Sequence, residues 1–208
     1  MWYSILITVL VGYLLGNLNG AVCVSNLVAH EDVRSQGSGN AGLTNFTRNY
    51  GAGKSVFVIL IDGVKAALGC LAGGLILKPF GMFMEGMAIG GAAVMLGHDF
   101  PALLGFKGGK GILSGCIIAF VIDWRIGVLI LSVFAVIYLI TQYVSLGSVL
   151  AAVAFCVGFV VFHHDNLVVM LCGVLMGVLA VFMHRANIVR LVKGEERKTN
   201  LFGKGKKK

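Results

Sequence analysis

An all-α bundle of about seven membrane-spanning helices, with the N-terminus outside and the C-terminus in the cytosol, is the fold this sequence predicts. Three observations carry it. Hydrophobic residues make up 58% of the 208 positions and charged residues only 12%, for a mean hydropathy of +0.91, far from the composition of soluble domains. Apolar runs of membrane-crossing length alternate with short charged connectors, and a hydrocarbon core of roughly 30 Å takes about 20 helical residues per crossing. Glycines recur every fourth residue, in Gly12, Gly16 and Gly20, Gly69 and Gly73, Gly86 and Gly90, Gly111 and Gly115, and Gly173 and Gly177, as they do where helix backbones pack closely in lipid.

The first run, residues 2–26, opens on MWYSILITVLVGYLLGNLNG and lacks the basic n-region and small-residue cleavage site of a signal peptide, so it reads as a retained span. Runs at 55–77 and 82–97 follow, then a short one at 111–122, then 126–143, 146–162 and 167–183. The 111–122 run is short for a crossing and is expected to tilt, to start inside the preceding loop or to be sheltered by its neighbours. Seven crossings from an external N-terminus put residues 27–54, 98–110 and the tail from His184 on one side, together with fourteen of the seventeen Lys and Arg residues. Lys78 and Arg125 lie opposite and Lys65 lies within a span. The positive-inside rule makes the rich side cytosolic. Residues 1–208 form one domain, with a basic cytosolic tail from about 194 to 208.

The formal charge of +8 is confined to connectors and tail, where it suits anionic headgroups of the lipid bilayer. No recognition module accompanies it, so nucleic acid is not an expected partner. The five cysteines fall in or beside apolar runs without C-x-x-C spacing, so neither a disulfide nor a metal site is inferred. GAGKS, residues 51–55, resembles the end of a phosphate-binding P-loop, but the required upstream glycine position holds Arg48 and no strand precedes it.

Chemistry concentrates in three polar segments. In SQGSGNAGLTNFTRNYGAGKS, glycine-freed amides, Ser38, Gly39, Asn40, Asn45 and the Arg48 guanidinium suit an anion; a polar connector with Asx turns is the alternative. In GHDFPALLGFKGGKG, His98 precedes Pro101, and Gly108, Gly109 and Gly111 stand beside Lys107 and Lys110 at the start of a helix, which suits close approach to a phosphate. In MHRANIVRLVKGEERK, His184 and Asn187 share one face of a helix continuing from the last span. Arg190, Lys193, Arg197 and Lys198 read there as a solvated juxtamembrane helix. Inside a span, Asp62 and Lys65 are three apart, a structural ion pair that offsets the cost of charge at membrane depth.

Taken in order, GSGNAGLTNFTR, GHDFPALLGFKGGKG and HRANIVRLVKGEE resemble the motifs of the bacterial acyl-phosphate-dependent glycerol-3-phosphate acyltransferases, the PlsY type, over almost the whole chain. Met183 stands where that family usually carries arginine. The resemblance implies transfer of a fatty acyl group from acyl phosphate to the sn-1 hydroxyl of glycerol 3-phosphate at the bacterial cytoplasmic membrane. It implies no metal, no cofactor and no obligatory protein partner. It also implies catalytic roles for Ser38, Arg48, Lys110, His184 and Asn187. Substrate contacts are expected from Gly39, Asn40, Asn45, His98, Lys107, Gly108, Gly109, Gly111, Arg185 and Glu195, with the glycines after Lys107 on the acyl-phosphate side. The competing class is a small transporter of an organic phosphate, which would bind its cargo near the midplane.

Overall fold

The computed structural model describes residues 1–199, and the basic end of the tail expected from the sequence lies partly outside them. Ten α-helices follow one another: α1 (Trp2–Asn17), α2 (Gly20–Ala29), α3 (Leu43–Tyr50), α4 (Ala52–Leu77), α5 (Phe83–Asp99), α6 (Ile112–Ile122), α7 (Trp124–Thr141), α8 (Val144–Phe162), α9 (Leu167–Met183) and α10 (Arg185–Val192). Five helical stretches are long and apolar enough to cross a membrane; α9 with α10 makes a sixth if that bent pair is one span, and α6 is shorter.

Helix α5 is the centre of the bundle, and the glycine spacing explains how two neighbours reach it. A methyl at Gly73 of α4 would overlap the Gly86 carbonyl, and one at Gly16 of α1 would overlap the Val94 carbonyl. With no hydrophobic force between helices in lipid, these close backbone contacts supply the dispersion energy of association.

The first apolar run is not one straight helix. It breaks at Leu18, where the backbone turns extended, and Asn19 caps α2 by accepting a 3.0 Å hydrogen bond from Val22 N–H. A break at membrane depth strands backbone groups that water cannot reach. The Asp62–Lys65 pair on α4 takes them. Lys65 Nζ lies 2.7 Å from Asp62 Oδ1 and donates to the carbonyls of Leu18 (2.6 Å) and Gly16 (3.3 Å). Asp62 Oδ1 accepts from Gly20 N–H at 3.0 Å. The pair therefore splices the broken span as well as neutralising itself. Asn19 also donates to Ala41 O at 3.0 Å, which ties the break to the first polar segment.

Helix α6 has eleven residues, about 16 Å, whereas α8 has nineteen, about 28 Å. Their far ends lie at one level, since His163 Nε2 of the α8 C-cap is 3.3 Å from Asp123 Oδ2 at the end of α6. The start of α6, with Lys110 and Gly111 before it, consequently lies about 10 Å inside the opposite end of α8. The helix does not start inside the preceding loop, which runs to Gly111; that glycine-rich loop dips into the bundle instead, and α4, α5, α7, α8 and α9 pack around the short helix.

Candidate active site

The first polar segment is folded around Asn45, buried on α3. Its amide nitrogen donates to the carbonyls of Val33, Gln36 and Asn40 at 3.0–3.1 Å, and its Oδ1 accepts from Ser38 N–H at 3.0 Å. Asn45 reaches the cavity wall, but its hydrogen bonds are spent on the loop, so it is a scaffold for Ser38 and Asn40 and not a free substrate ligand. Gly39, at φ +71°, permits the turn and lies off the cavity, in a shallow recess with Arg34 and Lys107. Arg48 on the same short helix reaches the cavity and donates to Thr199 Oγ1 at 3.2 Å.

The second segment corrects the reading of its glycines. Gly108 N–H donates to Asp99 O at 3.2 Å and Gly109 N–H to His98 O at 3.0 Å, so neither amide is free for a phosphate. A methyl at Gly108 would overlap the His98 carbonyl, and one at Gly109 the His98 ring. Close packing is the reason for both glycines. Lys107 is exposed, and its carbonyl accepts from Arg34 Nη1 at 3.1 Å. Of FKGGKG only Lys110 and Gly111 line the cavity. His98 sits beneath the loop with Nδ1 2.8 Å from Lys65 Nζ. An ammonium only donates, so Nδ1 is the acceptor and the ring proton is on Nε2, against Gly109. His98 thus links the spliced span to the loop and touches the cavity from below.

In the third segment the chain does not continue as one helix; α10 bends from α9 by 53° at His184. His184 and Asn187 still face the cavity together. His184 Nδ1 is 2.8 Å from Ala180 O; a carbonyl only accepts, so Nδ1 carries the hydrogen and the neutral ring offers Nε2 as an acceptor. Arg185 lies elsewhere, exposed, its guanidinium 4.4 Å from the centre of the Phe182 ring.

Lys110 Nζ donates to Asn187 Oδ1. Asn187 Nδ2 donates to Glu196 Oε1 at 3.0 Å, and Arg190 Nε to Glu196 Oε2 at 2.7 Å. Arg190 therefore lines the site, paired with Glu196, although its side chain stays partly exposed as its sequence context suggests. Its spacing from Asn187, three residues along one helix, is the signal that places it there. Burial, then the Arg190 guanidinium, push the Lys110 ammonium down to about 8.

These groups form one end of a cavity of about 490 Å³ that also takes in Thr44, Ser145, Ser148, Glu195 and Glu196. Ser145 and Ser148, one turn apart at the start of α8, are absent from the sequence reading; two hydroxyls on one face of an apolar run are the clue. Away from this end the lining turns apolar, with Leu131, Phe134, Ala152, Phe155 and Met176. The cavity is thus amphipathic: cationic and hydrogen-bonding at the motif end, hydrocarbon further in.

The sequence profile of the glycerol-3-phosphate acyltransferase family matches residues 6–194. A glycerol-3-phosphate acyltransferase of Finegoldia magna is 35% identical over 190 residues, 91% of this chain and 93% of that protein. One from Thermoanaerobacter sp. is 33% identical over 196 residues, 94% and 96% of the two chains. The crystal structure of PlsY, an integral membrane glycerol 3-phosphate acyltransferase, in its glycerol 3-phosphate form superposes with a TM-score of 0.83 at 32% identity, covering 96% of this chain and all of that one. Its lysophosphatidic acid form gives 0.82. With the profile spanning nearly the whole chain and relatives above 30% identity over more than nine-tenths of it, this protein belongs to the glycerol-3-phosphate acyltransferase family.

Proposed function

We propose that this protein transfers a fatty acyl group from acyl phosphate to the sn-1 hydroxyl of glycerol 3-phosphate, giving lysophosphatidic acid and phosphate. The observation that carries the reading is the amphipathic cavity. One end gathers Ser38, Arg48, Lys110, His184 and Asn187, while its other arm is hydrocarbon. A phosphorylated head and an acyl tail need those two environments side by side.

Glycerol 3-phosphate takes the Arg48, Lys110 and Arg190 cations, which a dianion would share with or draw from Glu196. The donor's phosphate lies at Gly111 and the open N-terminal amides of α6, where no side chain caps the helix. This moves the donor site one turn along from Gly108 and Gly109. The hydroxyl oxygen attacks the acyl carbonyl carbon, the bond from that carbon to the bridging phosphate oxygen breaks, and the departing phosphate takes the hydroxyl proton. Nε2 of neutral His184 accepts a hydrogen bond from the glycerol and orients it. Acyl phosphate is an activated anhydride, so positioning and charge stabilisation suffice without a covalent enzyme intermediate.

The test offers purified protein glycerol 3-phosphate with palmitoyl phosphate, palmitoyl-CoA or acylated carrier protein separately. Turnover is expected with palmitoyl phosphate alone; equal rates with the thioesters sink the reading.

The charge distribution supports a multi-pass protein of the bacterial cytoplasmic membrane, seven crossings, N-terminus outside and site facing the cytosol. Single cysteines at Ser35, Lys107 and Lys198, in a background free of native cysteines, are expected to resist an impermeant thiol reagent in intact cells and to react after permeabilisation. Labelling of any from outside reverses the orientation.

A further inference from the structure

We propose that Phe155 sets the longest acyl chain this site accepts. The inference rests on the acyl-transfer reading above and adds the donor's chain-length limit. On the walls of the apolar arm, Gly115 of α6 and Ala151 and Ala152 of α8 carry no side chain beyond Cβ, which leaves a slot between the helices. Phe155, one turn further along α8 and only 5% exposed, stands across its inner end. A Cβ built on Gly115 would sit 3.7 Å from the edge of that ring, so the phenyl spans the slot from α8 to α6. Beyond it there is no room. The Phe159 ring lies tilted against that of Phe155, centroids 4.8 Å apart, and is fully buried, as are Ile118 and Ile126, and Phe159 itself fills the space against Gly173. The polar groups that hold the phosphates are at the other end, so a tail entering the slot advances carbon by carbon towards the ring.

A methylene that finds no apolar space forfeits about fourfold in binding. Chains that stop short of Phe155 therefore differ by that factor per carbon, and longer ones gain nothing or clash.

The experiment measures kcat/KM for a series from lauroyl to stearoyl phosphate with wild type, Phe155→Leu and Gly115→Ala. Phe155→Leu opens the end of the slot and is expected to raise the stearoyl-to-lauroyl ratio by on the order of tenfold. Gly115→Ala adds one methyl at ordinary contact distance from the ring, where it fits without disturbing the fold, and is expected to lower the ratio by about fourfold. Opposite shifts in the two variants support the limit. An unchanged profile in the alanine variant overturns it even if the leucine variant fails to fold. So does a wild-type profile that keeps rising through stearoyl, as it would if the tail left sideways into the bilayer. Absence of turnover by wild type with every acyl phosphate refutes the acyl-transfer reading itself, a result distinct from turnover with a flat or unaltered profile.

Discussion

Asp62→Ala is expected to destabilise the protein by about 3–5 kcal/mol, the usual cost of leaving one partner of a buried ion pair alone. The side chain is 2% exposed and serves two partners, the Lys65 ammonium at 2.7 Å and Gly20 N–H at 3.0 Å. Its loss strands a charge and the first amide of α2 in the same dry place. The measurement is a melting curve in detergent, with a fall on the order of 10 °C expected. Lys65→Met added to Asp62→Ala is expected to recover part of that loss, because an apolar pair needs no compensation. Recovery will be incomplete, since the carbonyls of Gly16 and Leu18 then lose their donor. If the single variant melts with wild type, the splice across the broken span contributes nothing to stability.

That splice shows where sequence reasoning reached and where it stopped. Asp62 and Lys65 are legible as a pair from spacing alone, because two charges in hydrocarbon must meet. Their second task is not, since it depends on a break in another helix. The break has a local sign in Asn17 and Asn19, residues that favour helix ends, but the largely apolar stretch before them and a further run after them read as one span. Hydropathy reports length and not continuity. The later helices from α4 to α9 are legible because each is apolar and bounded by charge, by glycine or, between α7 and α8, by the polar Thr141, Gln142 and Ser145.

At the site, the three segments were legible by residue type and order, and the structure brings Ser38, Arg48, Lys110, His184 and Asn187 to one cavity. The roles of individual glycines were not. A glycine beside lysine is the same letter whether it frees an amide for a ligand or lets a histidine ring lie against the backbone. Only the acceptors of Gly108 and Gly109, the carbonyls of Asp99 and His98, distinguish the two. Glu196 was missed for another reason. The chain turns back after α10, with Glu195 N–H on Arg190 O and Thr199 N–H on Gln142 O, and no periodicity encodes a return of that kind.

Lys110→Met is expected to lower kcat/KM for glycerol 3-phosphate by about ten- to a hundredfold, the worth of a charge-assisted hydrogen bond to phosphate. The pH dependence separates a charge effect from damage. In the folded protein Lys110 titrates at about 8, below the usual 10.5, because burial and the nearby Arg190 disfavour its proton. A bound phosphate dianion restores that proton's partner and favours the charged form, so binding is strongest below pH 8. It weakens as pH rises through that value, by up to tenfold per unit. KM for glycerol 3-phosphate in wild type should therefore climb above about pH 8, and this limb should vanish in Lys110→Met. Stability runs the other way. Between about 8 and 10.5 the unfolded chain binds a proton that the folded one does not, so Lys110 costs stability at neutral pH and the cost is relieved as pH rises through that window. The methionine variant should consequently melt no lower than wild type at pH 7 while turning over far more slowly. A variant that loses stability in step with activity, or a wild-type KM flat between pH 7 and 9, would remove Lys110 from the phosphate site.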